Sequence, residues 1–291
     1  MVTNKQPHWL DTEEYPFPPA YFTYQGITQH YLDVGSGEVL LFVHGTPSWS
    51  FDFRNVIKTL STSYRCIALD HIGFGLSDKP SDYPYTTQQH AQRLTHFIQF
   101  LNLPAFTLVL HDFGGPIGLK YALEYPSSIT RLIILNSWLG SSEGDPDFIK
   151  LKRILKSPLL PFLYTYLNFS ARFLMPTSFG HKKLPTKIRK QFTQPFQNRH
   201  ERKGTVGFAH SLLNDQAWFE ELYSKIDRLQ KKPVLLVWGM SDPILKPSYL
   251  ERFKTAFPKA MVEALETCGH LPQEEEPGLT STAIEKFLKI T

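Results

Sequence analysis

A recurring unit constrains what this chain can fold into: a short, almost wholly apolar run that ends in a turn rich in glycine and histidine. Val39-Leu-Leu-Phe-Val43 ends in His44-Gly45, and Arg65-Cys-Ile-Ala-Leu69 runs into Asp70-His-Ile-Gly-Phe-Gly75. Phe106-Thr-Leu-Val-Leu110 leads into His111-Asp-Phe-Gly-Gly115, and Leu132-Ile-Ile-Leu135 reads as a fourth run. Helical stretches lie between them. Thr86 to Leu101, for example, carries apolar residues at Ala91, Leu94, Phe97, Ile98 and Leu101. Apolar strands that alternate with helices predict an α/β architecture, a mostly parallel sheet covered by helices on both faces.

The pattern stops after Ser137 and resumes at Pro233-Val-Leu-Leu-Val-Trp238. One more strand is expected near Ala260 to Ala264, with a closing helix from Leu279 to Ile290. The stretch between reads as helices broken by Pro158, Pro161, Pro176, Pro185 and Pro195. The expected division is therefore a core built from residues 1–139 and 231–291, with residues 140–230 inserted as a helical cap. A length of 291 residues suits one core with a large insertion better than two full domains. Charge follows the same division. Asp145 to Lys232 holds 17 lysines and arginines against 7 acids, a net of +10, and the remainder nets −6. A basic cap over an acidic base is suited to steering anionic substrates or to weak contact with an anionic membrane surface. Leu159 to Phe169 is apolar but too short and too proline-broken to span a bilayer, and is expected to line the cap's inner face over a pocket.

Composition removes several classes. With 42% hydrophobic and 20% charged residues, the chain is neither disordered nor collagen-like nor a coiled coil. Cys66 and Cys268 are too few for a disulfide framework or a cysteine-rich zinc site and are expected to be core thiols in a reducing compartment. No run of 18 apolar residues occurs, and Met1 to Glu14 has no stretch of signal-peptide character, so a cytoplasmic location is expected. A net charge of +4 without a nucleic-acid motif predicts no nucleic-acid partner.

Three candidate functional sites fall at strand ends, where open α/β sheets place their ligands. Leu110-His-Asp-Phe-Gly-Gly-Pro116 has the strand, sharp turn and helix of a nucleophile elbow, with Asp112 where many hydrolases carry serine. Gly114 and Gly115 let the helix pack close under the turn, and Leu110 is bulkier than the glycine of the serine version. Trp238-Gly-Met-Ser-Asp242 puts an acid just past a strand, and Cys268-Gly-His270 puts a histidine in the loop before the last helix. Singly, a strand-end Asp serves as well for a helix N-cap. Nucleophile, acid and histidine in that order match the α/β-hydrolase triad and point to an active site.

The chain resembles the haloalkane dehalogenase branch of the α/β-hydrolases from about Trp9 to Phe287. The resemblance is carried by His44-Gly-Thr-Pro-Ser-Trp-Ser-Phe51, Asp70-His-Ile-Gly-Phe-Gly-Leu-Ser-Asp-Lys-Pro80, His111-Asp-Phe-Gly-Gly115, Trp238-Gly-Met-Ser-Asp242 and Gly269-His270. It implies an α/β-hydrolase fold with Asp112 as nucleophile, His270 as general base and Asp242 as the acid that orients the histidine. In some members that acid follows the preceding strand, but here Ser137 and its neighbours bring no carboxylate before Glu143. A carboxylate oxygen would attack an electrophilic sp³ carbon to give an alkyl ester, which a water deprotonated by His270 then hydrolyses. The backbone N–H groups of Thr46 and Phe113 are the candidate oxyanion hole. The partners are then a small apolar electrophile and water, with no cofactor and no metal.

The leaving-group site departs from the family pattern. Dehalogenases hold the halide with a tryptophan directly after the nucleophile, here Phe113, and with an asparagine in the first strand-end motif, here Thr46, or a cap tryptophan. Losing one such donor typically costs about 10² to 10³ in rate. Trp138 is the candidate replacement N–H. Haloalkane dehalogenase-like hydrolysis is the leading expectation. Epoxide hydrolysis with cap tyrosines such as Tyr164 and Tyr166, β-lactone opening, and ligand reception without turnover are the alternatives.

Overall fold

The computed structural model describes residues 7–291. Eight strands form one sheet: β1 (Ala20–Tyr24), β2 (Ile27–Val34), β3 (Val39–Val43), β4 (Arg65–Leu69), β5 (Phe106–His111), β6 (Ile129–Leu135), β7 (Val234–Gly239) and β8 (Met261–Leu265). Their spatial order is β1-β2-β4-β3-β5-β6-β7-β8, and every pairing from β4 to β8 is parallel. β2 pairs antiparallel with both β1 and β4, an edge hairpin that the apolar-run pattern does not reveal. Strands β3, β5 and β7 are buried along their whole length, because helices cover both faces.

Two apolar clusters lie on opposite faces of the sheet. Leu41, Val43, Leu108 and Leu110 point to one, and Leu40, Phe42, Val109 and Ile133 to the other. The helix expected from Thr86 spans Thr87–Leu101, with the Thr86 hydroxyl accepting from the Gln89 N–H as an N-cap. The last strand and helix start one and two residues away from their expected positions, at Met261 and Pro277. Both cysteines are buried and unpaired, and burial pushes the Cys66 thiol up to about 12.

Between β6 and β7 the chain is helical. Helices Pro146–Leu155 and Leu160–Leu167 pack on Lys203–Asn214 through a small apolar cluster of Leu155, Leu160, Tyr164 and Ala209. No helix is long and apolar enough to cross a membrane among the described residues.

Candidate active site

Asp112 occupies the turn between β5 and the helix Gly114–Glu124 with a φ of +50°. A non-glycine residue holds this left-handed conformation only when its surroundings impose it. Here the Asp112 N–H donates to the Asn136 carbonyl (3.0 Å), and Ser137 Oγ donates to the Asp112 carbonyl (2.8 Å). The glycines of the motif are steric requirements. A Cβ on Gly45 would overlap the Asp112 carboxylate, and one on Gly114 would overlap the Val43 carbonyl. Leu110 is accommodated because the helix residue opposite it is Gly118, where a Cβ would overlap the Leu110 side chain. Bulk that the serine version keeps off the strand is thus matched by a gap on the helix.

The three residues proposed from the sequence converge. His270 Nδ1 donates to Asp242 Oδ2 at 2.7 Å, and His270 Nε2 lies 3.5 Å from Asp112 Oδ2. Burial alone would lower the His270 imidazole, but the Asp242 charge and hydrogen bonds to Asp112 and Asp242 push it up to about 10. Burial alone would raise the Asp112 carboxyl, yet the hydrogen bond and charge of His270 hold it below its ordinary value. Asp242 is balanced in the same way. Burial raises it, while the charge and hydrogen bond of His270 outweigh that, helped by the Ile244 and Leu245 N–H groups at 2.7 and 3.0 Å.

Thr46 N–H donates to Asp112 Oδ1 at 2.8 Å, and the neighbouring Phe113 N–H helps to hold the carboxyl below its ordinary value. The Thr46 N–H, one of the two candidate oxyanion donors, therefore points at the Asp112 carboxyl group.

Several site residues gave no signal in the sequence. Asn136, at the end of β6, donates from Nδ2 to Asp242 Oδ2 at 2.8 Å, and its Oδ1 accepts from the Gly239 N–H. It occupies the strand end where other members carry the acid and here holds the acid that comes from β7. The His270 loop is clasped by the helical segment between β6 and β7: the His270 N–H donates to the Ser178 carbonyl at 2.8 Å, and Glu275 accepts from both Gly269 N and Gly180 N. Asp52 lies beneath the site, fully buried, accepting from Ser48 Oγ at 2.5 Å and Gln273 Nε2 at 3.1 Å. Burial pushes its carboxyl up to about 8, which favours the protonated form near neutral pH. His111 bridges the two regions, with Nε2 donating to the His270 carbonyl and Nδ1 3.7 Å from Asp52. Burial and the His270 charge push His111 down to about 4.

A cavity of about 170 Å³ lies over Asp112. Its floor is Thr46, Ser48, His111, Asp112, Phe113 and His270, and its roof comes from the helices between β6 and β7 through Leu151, Leu155, Tyr164 and Leu174. The Thr46 hydroxyl is buried and has no hydrogen-bond partner among the described residues. Trp138 does not line the cavity. It packs edge-on against Phe113 at 4.7 Å between ring centres, and its indole nitrogen is buried without a hydrogen-bond partner among the described residues. Of the two candidate tyrosines, Tyr164 reaches the cavity with its phenol pushed up to about 12 by burial, whereas Tyr166 is exposed and stacks on Phe162. No cluster of His, Cys, Asp and Glu with metal-binding geometry occurs among the described residues.

A family model described as alpha/beta hydrolase fold matches residues 38–277. A cis-3-alkyl-4-alkyloxetan-2-one decarboxylase of Shewanella oneidensis is 33% identical over 286 residues, covering 95% of this chain and 90% of its own. Haloalkane dehalogenase 2 of Mycobacterium tuberculosis is 29% identical over 283 residues, covering 95% of this chain and 97% of that one. The crystal structure of haloalkane dehalogenase DatA from Agrobacterium tumefaciens superimposes with a TM-score of 0.84 over 94% of this chain and 97% of that one, a likeness of fold at 24% identity. The chain belongs to the α/β-hydrolase fold family and is an enzyme of its haloalkane dehalogenase-like branch.

Proposed function

We propose that this enzyme opens lipophilic electrophiles whose leaving atom is oxygen, above all a β-lactone carrying two alkyl chains, through an alkyl ester on Asp112. The observation that carries this reading is the donor inventory of the cavity. The Thr46 N–H is taken up by the Asp112 carboxylate, the Phe113 N–H helps to lower that carboxyl, and no indole or side-chain amide N–H lines the cavity to meet a departing halide. The Trp138 indole packs edge-on against Phe113, outside that lining. Thr46, on the cavity floor, keeps a buried hydroxyl without a hydrogen-bond partner among the described residues, which suits an oxygen. The name of the Shewanella relative supports the same substrate class.

In this reaction Asp112 Oδ2 attacks the ring sp³ carbon that bears an alkyl chain. The bond from that carbon to the ring oxygen breaks, and the electron pair leaves with the ring's carboxylate. The alkyl ester on Asp112 then carries that carboxylate as a tether. Two exits regenerate Asp112. In one, His270 takes a proton from water, and the resulting hydroxide adds to the ester carbonyl. The oxyanion is held by the Thr46 and Phe113 N–H groups, and a 3-hydroxy acid leaves. In the other, the bond to the tethered carboxylate breaks, carbon dioxide departs, its electron pair forms an alkene and the Asp112 carboxylate is expelled. Ester formation removes the Asp112 charge that helps to raise His270, so the imidazole loses its proton more readily when a base is required. Epoxide opening would use the same nucleophile, but only one cap tyrosine faces the cavity.

The experiment is a product analysis with a cis-dialkyl β-lactone and a bromoalkane of matched size, run on the wild type and on Asp112→Asn. The expected result is lactone consumption with hydroxy acid or alkene as product, abolished in Asp112→Asn, and bromide release at least about 10²-fold slower. Bromide release as fast as lactone consumption would overturn the oxygen-leaving reading.

A further inference from the structure

From residue 148 to residue 200 the chain contains 11 lysines and arginines and not one aspartate or glutamate. The same segment carries seven of the thirteen large apolar side chains that the described residues leave exposed, at 41–64% exposure. They are not scattered. Leu159, Phe162 and Tyr166 recur at three- and four-residue spacing on one face of the helix Leu160–Leu167 and the residue before it, with Phe162 and Tyr166 stacked at 5.0 Å. Phe173 stacks on Phe169 at 5.5 Å, and Ile154 ends the preceding helix. The buried faces of these same helices, through Leu155, Tyr164 and Leu174, form the roof of the cavity.

A helix apolar on both sides, one toward the cavity and the other toward water, is not explained by packing within the chain. Charge says what covers the outer side. Arg153, Lys156, Arg172, Lys183 and Lys190 are exposed and have no ion-pair partner among the described residues. Exposed cations interspersed with exposed aromatic and leucine side chains along this segment complement an anionic lipid surface, where the apolar groups enter the headgroup boundary and the cations meet phosphate. We propose that the outer face of residues 149–173 docks the enzyme on anionic membranes, bringing the cavity roof to the lipid phase in which a long-chain substrate dissolves. The docking stands on this surface alone; its use for substrate delivery rests on the proposed reaction.

The test is co-sedimentation of the full chain with phosphatidylcholine vesicles, with and without phosphatidylglycerol. Two variants are compared, Leu159→Ser/Phe162→Ser and Arg153→Glu/Lys156→Glu/Arg172→Glu. All five side chains are exposed and lie outside the cavity. The wild type is expected to sediment with the phosphatidylglycerol vesicles, less so at high salt. The charge-reversal variant should bind at least about 100-fold more weakly, and the serine variant about tenfold. Turnover of a short-chain, water-soluble β-lactone should be the same in all three, while turnover of a long-chain lactone held in vesicles falls with binding. Wild-type protein that stays in the supernatant overturns the proposal, as does equal binding to pure phosphatidylcholine. So does a wild-type dimer that ignores vesicles and that the serine variant dissociates, since a second copy would then cover this face. A fully inactive enzyme that still sediments would separate failure of the proposed reaction from failure of the docking.

Discussion

Replacing Asp52 by asparagine is expected to stabilise the enzyme above neutral pH and to destabilise it in acid. The Asp52 carboxyl is completely buried, and burial pushes it up to about 8 from an ordinary value of 3.8. Between those two values the folded chain binds a proton that the unfolded chain does not. Stability therefore falls as pH rises through this window, by about 1.4 kcal/mol per pH unit. The accumulated cost is on the order of 4 kcal/mol at pH 7 and is absent below pH 4. Asparagine has no proton to lose and escapes it. Its Oδ1 keeps the bonds from Ser48 and Gln273, while its Nδ2 replaces an oxygen that has no partner, at a cost of about 1–3 kcal/mol. The net is a gain of about 2 kcal/mol at pH 7 and a loss of about 1–3 kcal/mol at pH 4, with the sign changing between them. Urea midpoints for both proteins across this range measure the difference. A difference that does not vary with pH would refute the reasoning, and would mean that Asp52 is ionised in the folded chain and paired with a protonated His111.

Three further outcomes follow from the site. Asn136→Ala removes the donor that fixes Asp242 Oδ2 and should lower kcat about tenfold, with KM little changed, as measured by steady-state kinetics. Phe113→Trp puts an indole N–H beside the leaving-group position and should strengthen bromide binding, read as quenching of tryptophan fluorescence; an unchanged titration would mean that this pocket cannot be turned into a halide site. In His270→Phe, Asp112 loses the hydrogen bond and charge that oppose its burial, so its carboxyl should rise. Ester formation in that variant should then weaken as pH falls, seen by following adduct yield against pH.

The parallel core was legible because strands buried on both faces are written as unbroken apolar runs, and β3 and β4 begin and end where Val39–Val43 and Arg65–Leu69 do. The β1–β2 hairpin was not, because Thr28, Gln29 and His30 interrupt the apolar run with buried polar side chains, of which Gln29 and His30 bond Asp70. The grouping of Asp112, Asp242 and His270 was readable from order and strand-end position. Its supports were not: Asn136 and Asp52 are ordinary polar residues until the fold brings them to residues more than a hundred positions away, at Asp242 and Gln273. Side-chain direction is also silent in sequence, which is why Trp138 packed against Phe113, and Tyr166 facing outward while Tyr164 faces in, needed coordinates.

The most direct test of the Asp112 ester is intact and peptide mass spectrometry of His270→Phe at alkaline pH, incubated separately with a cis-dialkyl β-lactone and a bromoalkane. The account predicts an Asp112 peptide heavier by the whole lactone, or alkene release that an added Asp112→Asn substitution abolishes, and no adduct from the bromoalkane. A bromoalkane adduct without either lactone product, or lactone consumption undiminished by Asp112→Asn, would contradict it.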